Sequence, residues 1–213
     1  MKIIPAINVS SQKEFENQIK AIENSTDLVQ IDIADGKFTN WKNWADPEKI
    51  KNIPTTLNYE LHLMVEDPIQ EIKKWESNQN VQRIIVHTES FDEINLELFH
   101  KLIDFDFEIG FALNPKTSTE KIEILLPNLE YLLFLGVNPG KSGQKFEKKV
   151  LEKIKRLKVA HPHIKIEVDG GINERTIKNI ADTGADILCL GSAIFNNKGT
   201  PSENFNFFNN MVK

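Results

Sequence analysis

Residues 131–171 read YLLFLGVNPGKSGQKFEKKVLEKIKRLKVAHPHIKIEVDGG. An apolar run, Tyr131 to Val137, passes through a glycine-rich turn into Val150, Ile154 and Leu157 at helical spacing. A β-branched run, Ile164 to Val168, follows and ends in Asp169-Gly170-Gly171. This is a strand, a helix and a second strand. The first strand, Tyr131 to Leu135, lacks the apolar/polar alternation of a half-exposed sheet and fits a parallel sheet covered by helices, whereas Lys165 and Glu167 interrupt the second.

The unit recurs in both directions along the chain. Five further strand-like runs precede it, Ile3 to Ile7, Leu28 to Ile33, Tyr59 to Val65, Arg83 to His87 and Glu108 to Leu113, and one follows, Ile187 to Leu190. Phe15, Ile19 and Ile22 repeat the helical interval. Helix starts are marked by Ser11 with Glu14 and Thr117 with Glu120 at capping-box spacing, by Asp46-Pro47 and Asp67-Pro68, and by Thr200-Pro201-Ser202-Glu203. Strand and helix thus alternate eight times without a linker or low-complexity tract, which predicts an α/β protein with a single (β/α)₈ TIM-barrel domain over residues 1–213. A doubly wound open sheet is the competing arrangement, but the first strand lacks the G-x-G-x-x-G turn of a dinucleotide-binding version.

Composition narrows the function. The 213 residues carry a formal net charge of −5, which argues against a nucleic-acid partner, since phosphate-backbone binding needs a basic face. A small anionic substrate stays open if local amides meet its charge. Cys189 is the only cysteine, so there is no intrachain disulfide and no thiolate-rich metal site, and a reducing cytoplasm is the expected location. The terminus MKIIPAINVS has no signal-peptide pattern, and the longest apolar run, Tyr131 to Leu135, is strand-sized, so no membrane association is expected.

In such a barrel the chemistry sits at the carboxyl ends of the strands. The second strand ends in Gln30-Ile31-Asp32-Ile33-Ala34-Asp35-Gly36, the third contains His62, the fourth ends at His87-Thr88-Glu89 and the seventh at Asp169. Alternation puts Gln30 and Asp32 on one side of their strand and Glu60 and His62 on one side of theirs. Asp32, His62 and Asp169 are therefore expected to converge near the axis as ligands for a hard-to-borderline ion such as Zn, Mn, Fe or Co. Taken singly each reads as a capped turn or a satisfied core residue; together, two buried aspartates call for an offsetting cation or proton. A second group, Gly140 and Gly143 after strand six, Gly170-Gly171 after strand seven and Gly191-Ser192 after strand eight, supplies backbone amides suited to a phosphate. Lys141 reads as solvated. No lysine stands at an inward strand end, which counts against a lysine-dependent aldolase.

Several segments, in order over nearly the whole chain, resemble the ribulose-phosphate 3-epimerase family. They are residues 30–38, Leu61 to Val65, Val86 to Glu89, Gly110 to Pro115 with Thr117, Val137 to Gly140 with Gly143, Gln144 and Phe146, Glu167 to Gly171, and Gly191 to Phe195. The resemblance implies a TIM barrel of the ribulose-phosphate-binding type that inverts C3 of a pentulose 5-phosphate with one divalent metal ion, a reaction of the pentose phosphate pathway. It implies Asp32 as base on one face of the sugar and Asp169 as acid on the other, both also metal ligands with His62. His62, Met64, Gly140, Gly143, Gly170, Gly171, Gly191 and Ser192 would contact substrate or its phosphate, and a homo-oligomer is compatible.

The chain departs from the family pattern at the chemical end. Gln30 stands where the family has a histidine ligand, and its carbonyl oxygen is a poorer ligand than imidazole for Zn or Fe. Ala6 replaces a common serine, Ala34 and Leu135 replace methionines, and Lys141-Ser142 replaces Phe-Gly. Three readings follow: a D-ribulose 5-phosphate to D-xylulose 5-phosphate epimerase, an epimerase or lyase for another phosphosugar, and a catalytically weak phosphosugar-binding protein. Trp41 and Trp44, after strand two, suit the barrel mouth, a subunit contact or the core.

Overall fold

The structure is a computed structural model that describes residues 1–140 and 143–213. Lys141-Ser142 lie outside the described residues.

Eight parallel strands close a barrel in chain order. They are β1 (Lys2–Ile7), β2 (Leu28–Ala34), β3 (Asn58–Met64), β4 (Val81–His87), β5 (Glu108–Leu113), β6 (Tyr131–Leu135), β7 (Lys165–Asp169) and β8 (Ile187–Leu190). Pairing of β1 with β8 closes the ring, so no strand edge is left open. The helices are α1 (Gln12–Ile22), α2 (Pro47–Lys51), α3 (Pro68–Trp75), α4 (Leu96–Ile103), α5 (Lys149–Ala160), α6 (Ile177–Ala181), α7 (Ser192–Phe195) and α8 (Pro201–Met211).

The spacings that predicted helices bury the faces they should. Phe15, Ile19 and Ile22 of α1, and Val150, Ile154 and Leu157 of α5, all pack into the core between barrel and helices. Each large side chain fully removed from water contributes roughly 1.5–3 kcal/mol. Ser11, Asp46, Asp67 and Thr200 cap α1, α2, α3 and α8 through backbone N–H groups, and Thr200 with Glu203 forms the reciprocal capping box. Trp44 joins the core beside Phe15, ring centroids 5.6 Å apart.

One helix signal fails. After β5 the chain makes two 3₁₀ turns, Thr119–Ile122 and Leu126–Asn128, in place of an α-helix, and the cap is Ser118 rather than Thr117. The Thr117 hydroxyl donates to the Glu89 carboxylate, a charged acceptor stronger than a backbone cap. Pro127, inside the second turn, offers no N–H to extend a helix.

The barrel interior is unusually polar. Below the strand ends lie Glu60, Arg83 and Glu167, all buried, with Cys189 beside them. Arg83 Nη1 pairs with Glu60 and lies 3.7 Å from Glu167, its Nε donates to Glu108 at 3.0 Å, and its guanidinium sits 3.7 Å above the Tyr131 ring. The Cys189 thiol donates to Glu167 at 2.9 Å. Burial first, then the neighbouring Glu60 charge, pushes the Glu167 carboxyl well above its ordinary range.

Candidate active site

The register of the barrel assembles the site. Asp32 lies opposite His62 across β2 and β3, and Asp169 ends β7, with β8 and β1 completing the wall between β7 and β2. His62 is fully buried, and its Nδ1 lies 3.0 Å from Asp32 Oδ1 and 3.3 Å from Asp169 Oδ2. The donor atoms of the three residues all fall within 4.8 Å of one another. The predicted convergence of the trio is what the fold produces.

Gln30 reaches the same point in a different capacity. Its Nε2 donates to Asp32 Oδ1 at 2.9 Å and to Asp169 Oδ2 at 3.0 Å, bridging the two carboxylates, while its buried Oε1 has no partner. A half-turn of the amide would aim Oε1 at both carboxylates, an arrangement that only a cation among the oxygens stabilises. Two carboxylates, one imidazole and an amide that can present its oxygen suit a hard-to-borderline divalent ion, so the residues present fit a metal.

Sequence reasoning missed Asn8. It follows β1, its Nδ2 donates to Asp32 Oδ2 at 3.1 Å and to the Gly140 carbonyl at 3.3 Å, and its Oδ1 accepts from Asn43 at 3.3 Å and from the Trp41 indole at 3.5 Å. Asn43 also donates to the Asp32 carbonyl at 2.7 Å. The available signal was parity: Asn8 lies two residues beyond Ala6, which faces the axis. It also missed the use of His87 and Glu89. His62 Nε2 lies 2.9 Å from His87 Nε2, and His87 Nδ1 lies 3.1 Å from Glu89 Oε2.

The electrostatics divide these groups. Burial pulls the His62 imidazolium down, but hydrogen bonds to Asp169 and Asp32 outweigh it and raise His62 to about 10. Burial, with the His62 charge added, lowers His87 to about 4. Burial together with the Asp169 charge raises Asp32, against the pull of His62. Burial of Glu89 is overcome by its bonds to His87, Thr117 and the Asn114 N–H, which take it from 4.5 down to about 2.

That last shift has a measurable sign. A carboxyl depressed by folding stabilises the native state above its unfolded pKa, and the contribution disappears as pH falls from 4.5 to about 2. Allowing for partial exposure, the loss is about 2 kcal/mol. Urea unfolding at pH 5 and pH 3 should show Glu89→Gln losing less stability on acidification than the parent protein. Equal losses would refute the assignment.

Above the trio opens a cleft of ≈ 700 Å³ including its mouth, with Ala6, Met64 and Leu135 in its lining. Gly140, Gly143, Gly170, Gly171, Gly191 and Ser192 line it too, so the six residues expected near a phosphate share one cleft with the trio. Gly171 has φ +71°, and a Cβ there would meet the Phe146 backbone at 2.7 Å, so it serves loop geometry as well as the cleft wall. Ala34, buried beside Met64 in the register, is not among the lining residues.

Residues 2–195 match the Ribulose-phosphate 3 epimerase family along their whole length. The chain belongs to the ribulose-phosphate 3-epimerase family. Its relatives include the ribulose-phosphate 3-epimerases of Aquifex aeolicus, 35% identical over 207 residues covering 93% of this chain and 91% of the relative, and of Bacillus subtilis, 31% identical over 204 residues covering 92% of each. Membership of this family makes the protein an epimerase-type isomerase. Among solved structures, 3-hexulose-6-phosphate synthase from Salmonella typhimurium superposes with a TM-score of 0.73 over 100% of this chain and 98% of that one. At 14% identity that likeness shows the TIM-barrel fold alone. Among the described residues no helix is long and apolar enough to cross a membrane.

Proposed function

We propose that this ribulose-phosphate 3-epimerase family member carries out metal-assisted 3-epimerisation of a ketose phosphate, with D-ribulose 5-phosphate and D-xylulose 5-phosphate as the pair interconverted. The observation that carries the reading is the meeting of Asp32 and Asp169 from different barrel walls at the floor of a cleft whose other end is lined with glycine turns.

Inverting a carbon next to a carbonyl requires removal of its hydrogen from one side and return of one to the other. Asp32 takes the C3 proton on its face, and Asp169 supplies a proton on the opposite face of the planar enediolate; the reverse direction exchanges the roles. Asn8 keeps Asp32 Oδ2 oriented, and His62 and Gln30 hold Oδ1. Asp32, His62 and Asp169, with Gln30 as a weaker fourth, would hold one divalent ion, which when bound offsets the negative charge developing on the substrate oxygens. The amides of Gly143, Gly170, Gly171, Gly191 and Ser192 face the phosphate, with Gly140 at the rim, and Met64 and Leu135 wall the reacting carbons.

The test is incorporation of solvent deuterium. With ribulose 5-phosphate in deuterium oxide, proton NMR should show loss of the C3 signal as xylulose 5-phosphate forms, because each carboxyl group exchanges with water between turnovers. No exchange with any ketose phosphate would overturn the proposal. Gln30 and Ala6 favour a second reading, an epimerase for another ketose phosphate, and exchange confined to a hexulose phosphate would select it.

Two further outcomes follow. Elemental analysis after mild dialysis should find one divalent ion per chain, and Gln30→His should tighten its retention; metal-free protein of full activity would remove the metal from the mechanism. Ser192→Glu places a carboxylate against the phosphate end at a half-buried position. It should raise KM for the sugar phosphate at least about 10-fold with kcat changed far less, as expected for lost uniform binding. An unchanged KM would place the phosphate elsewhere.

A further inference from the structure

Two imidazole nitrogens 2.9 Å apart, His62 Nε2 and His87 Nε2, share one hydrogen, so one donates and the other accepts. The far end of the chain of contacts decides which. Glu89 Oε1 accepts from the Asn114 backbone N–H at 2.9 Å and from the Thr117 hydroxyl, and Glu89 Oε2 faces His87 Nδ1 at 3.1 Å. A carboxylate is an acceptor only, so the hydrogen between it and His87 resides on Nδ1. His87 is fully buried, with the Phe38 ring centroid 4.9 Å from its own, and a neutral ring with Nδ1–H has a lone pair at Nε2. His62 Nε2 must then be the donor. His62 Nδ1, the nitrogen beside Asp32 and Asp169, is then the one that would offer a lone pair once a divalent ion displaces the hydrogen it shares with those carboxylates.

We propose that Glu89 and His87 are positioning residues: they fix His62 as the Nε2–H tautomer so that its Nδ1 lone pair faces the divalent ion held with Asp32 and Asp169. The inference rests on the metal-assisted reading and assigns two residues that reading leaves without a role. The orientation is imposed from three successive strands, since His62 is on β3, His87 ends β4, and Asn114 and Thr117 follow β5. Lys153 of α5 donates to the carbonyls of Pro115 and Thr117 at 2.7 and 2.6 Å and anchors the far end. Neither His87 nor Glu89 is among the residues lining the cleft, so both act through His62. Partners of this kind, outside the ligands themselves, commonly set metal affinity by 10–100-fold.

Glu89→Gln reverses the polarity at constant size. The Asn114 N–H requires an acceptor, so the new amide keeps its oxygen there and turns its NH₂ toward His87 Nδ1. His87 then accepts at Nδ1 and donates from Nε2, and His62 is driven to carry its hydrogen on Nδ1, where the ion would bind.

The experiment measures Zn²⁺ affinity of chelator-stripped full-length protein by competition with a chromogenic chelator. Glu89→Gln should bind Zn²⁺ about 10–100-fold more weakly than the parent. Histidine ¹⁵N spectra of the Zn²⁺-loaded parent give a readout independent of any variant: His62 should carry its hydrogen on Nε2 and His87 on Nδ1. Equal affinity in parent and variant, or His62 bound through Nε2, would overturn the inference while leaving the metal-assisted reading intact. A parent chain that binds no Zn²⁺, or whose affinity is unaffected by Asp169→Asn, overturns both.

Discussion

Replacing Asp32 with asparagine should lower epimer formation by about 10³-fold or more, and Asp169→Asn should do the same, because each substitution removes one of two proton carriers that inversion requires in sequence. The informative result is what survives. In deuterium oxide a single variant should still exchange C3 hydrogen on one face, because the remaining carboxylate can remove and return a proton on its own side without inverting the centre. Wash-in of deuterium without xylulose 5-phosphate is thus the signature of two carboxylates acting on opposite faces. Retained epimerisation in either variant would sink the two-aspartate mechanism. Both positions tolerate the test sterically, since asparagine keeps the size of the side chain and can still meet Gln30 and His62.

Arg83→Met should produce the largest loss of stability. Arg83 is the one cation in contact with Glu60 and Glu167 inside the barrel among the described residues, and both carboxyl groups are fully buried. Removing one partner of a buried charge group costs about 3–5 kcal/mol, because the other charges stay desolvated and unmatched. For a chain of this length that corresponds to a fall in Tm on the order of 10 °C. Adding Glu60→Gln and Glu167→Gln to Arg83→Met should recover much of the loss by removing the uncompensated charge. A Tm equal to the parent's for Arg83→Met alone would mean that the interior cluster is not held by charge balance.

These two results separate what alternation made legible from what it did not. Parity along β3 put His62 toward the axis, and the same parity put Glu60 there one layer below, yet the sequence singled out only the upper layer. The reason is physical: strand-end residues follow a rule about where barrels place their chemistry, whereas Glu60, Arg83 and Glu167 come from three strands and make sense only once their register sets them in one layer. Asn8 is similar. Parity with Ala6 is the one mark it carries in MKIIPAINVS, and its contact with Asp32 exists because β1 lies beside β2 with Ala6 opposite Gln30. Thr117 shows the converse, a local cap signal overruled by a long-range acceptor, Glu89, that its own segment could not reveal.

The alternation of buried strands and amphipathic helices, the family resemblance, Asp32, His62 and Asp169 at three strand ends and the six glycine-turn residues that line the cleft were all legible along the chain. Each of these is a property of local spacing or of a contiguous motif. It took barrel closure to bridge the two aspartates with the Gln30 amide, to set Asn8 against Asp32 and to stand Glu89 and His87 behind His62. Those relations join residues from 2 to 139 positions apart, and the direction of a hydrogen bond depends on which groups meet in space, a quantity that barrel closure and strand register set and that no local pattern contains.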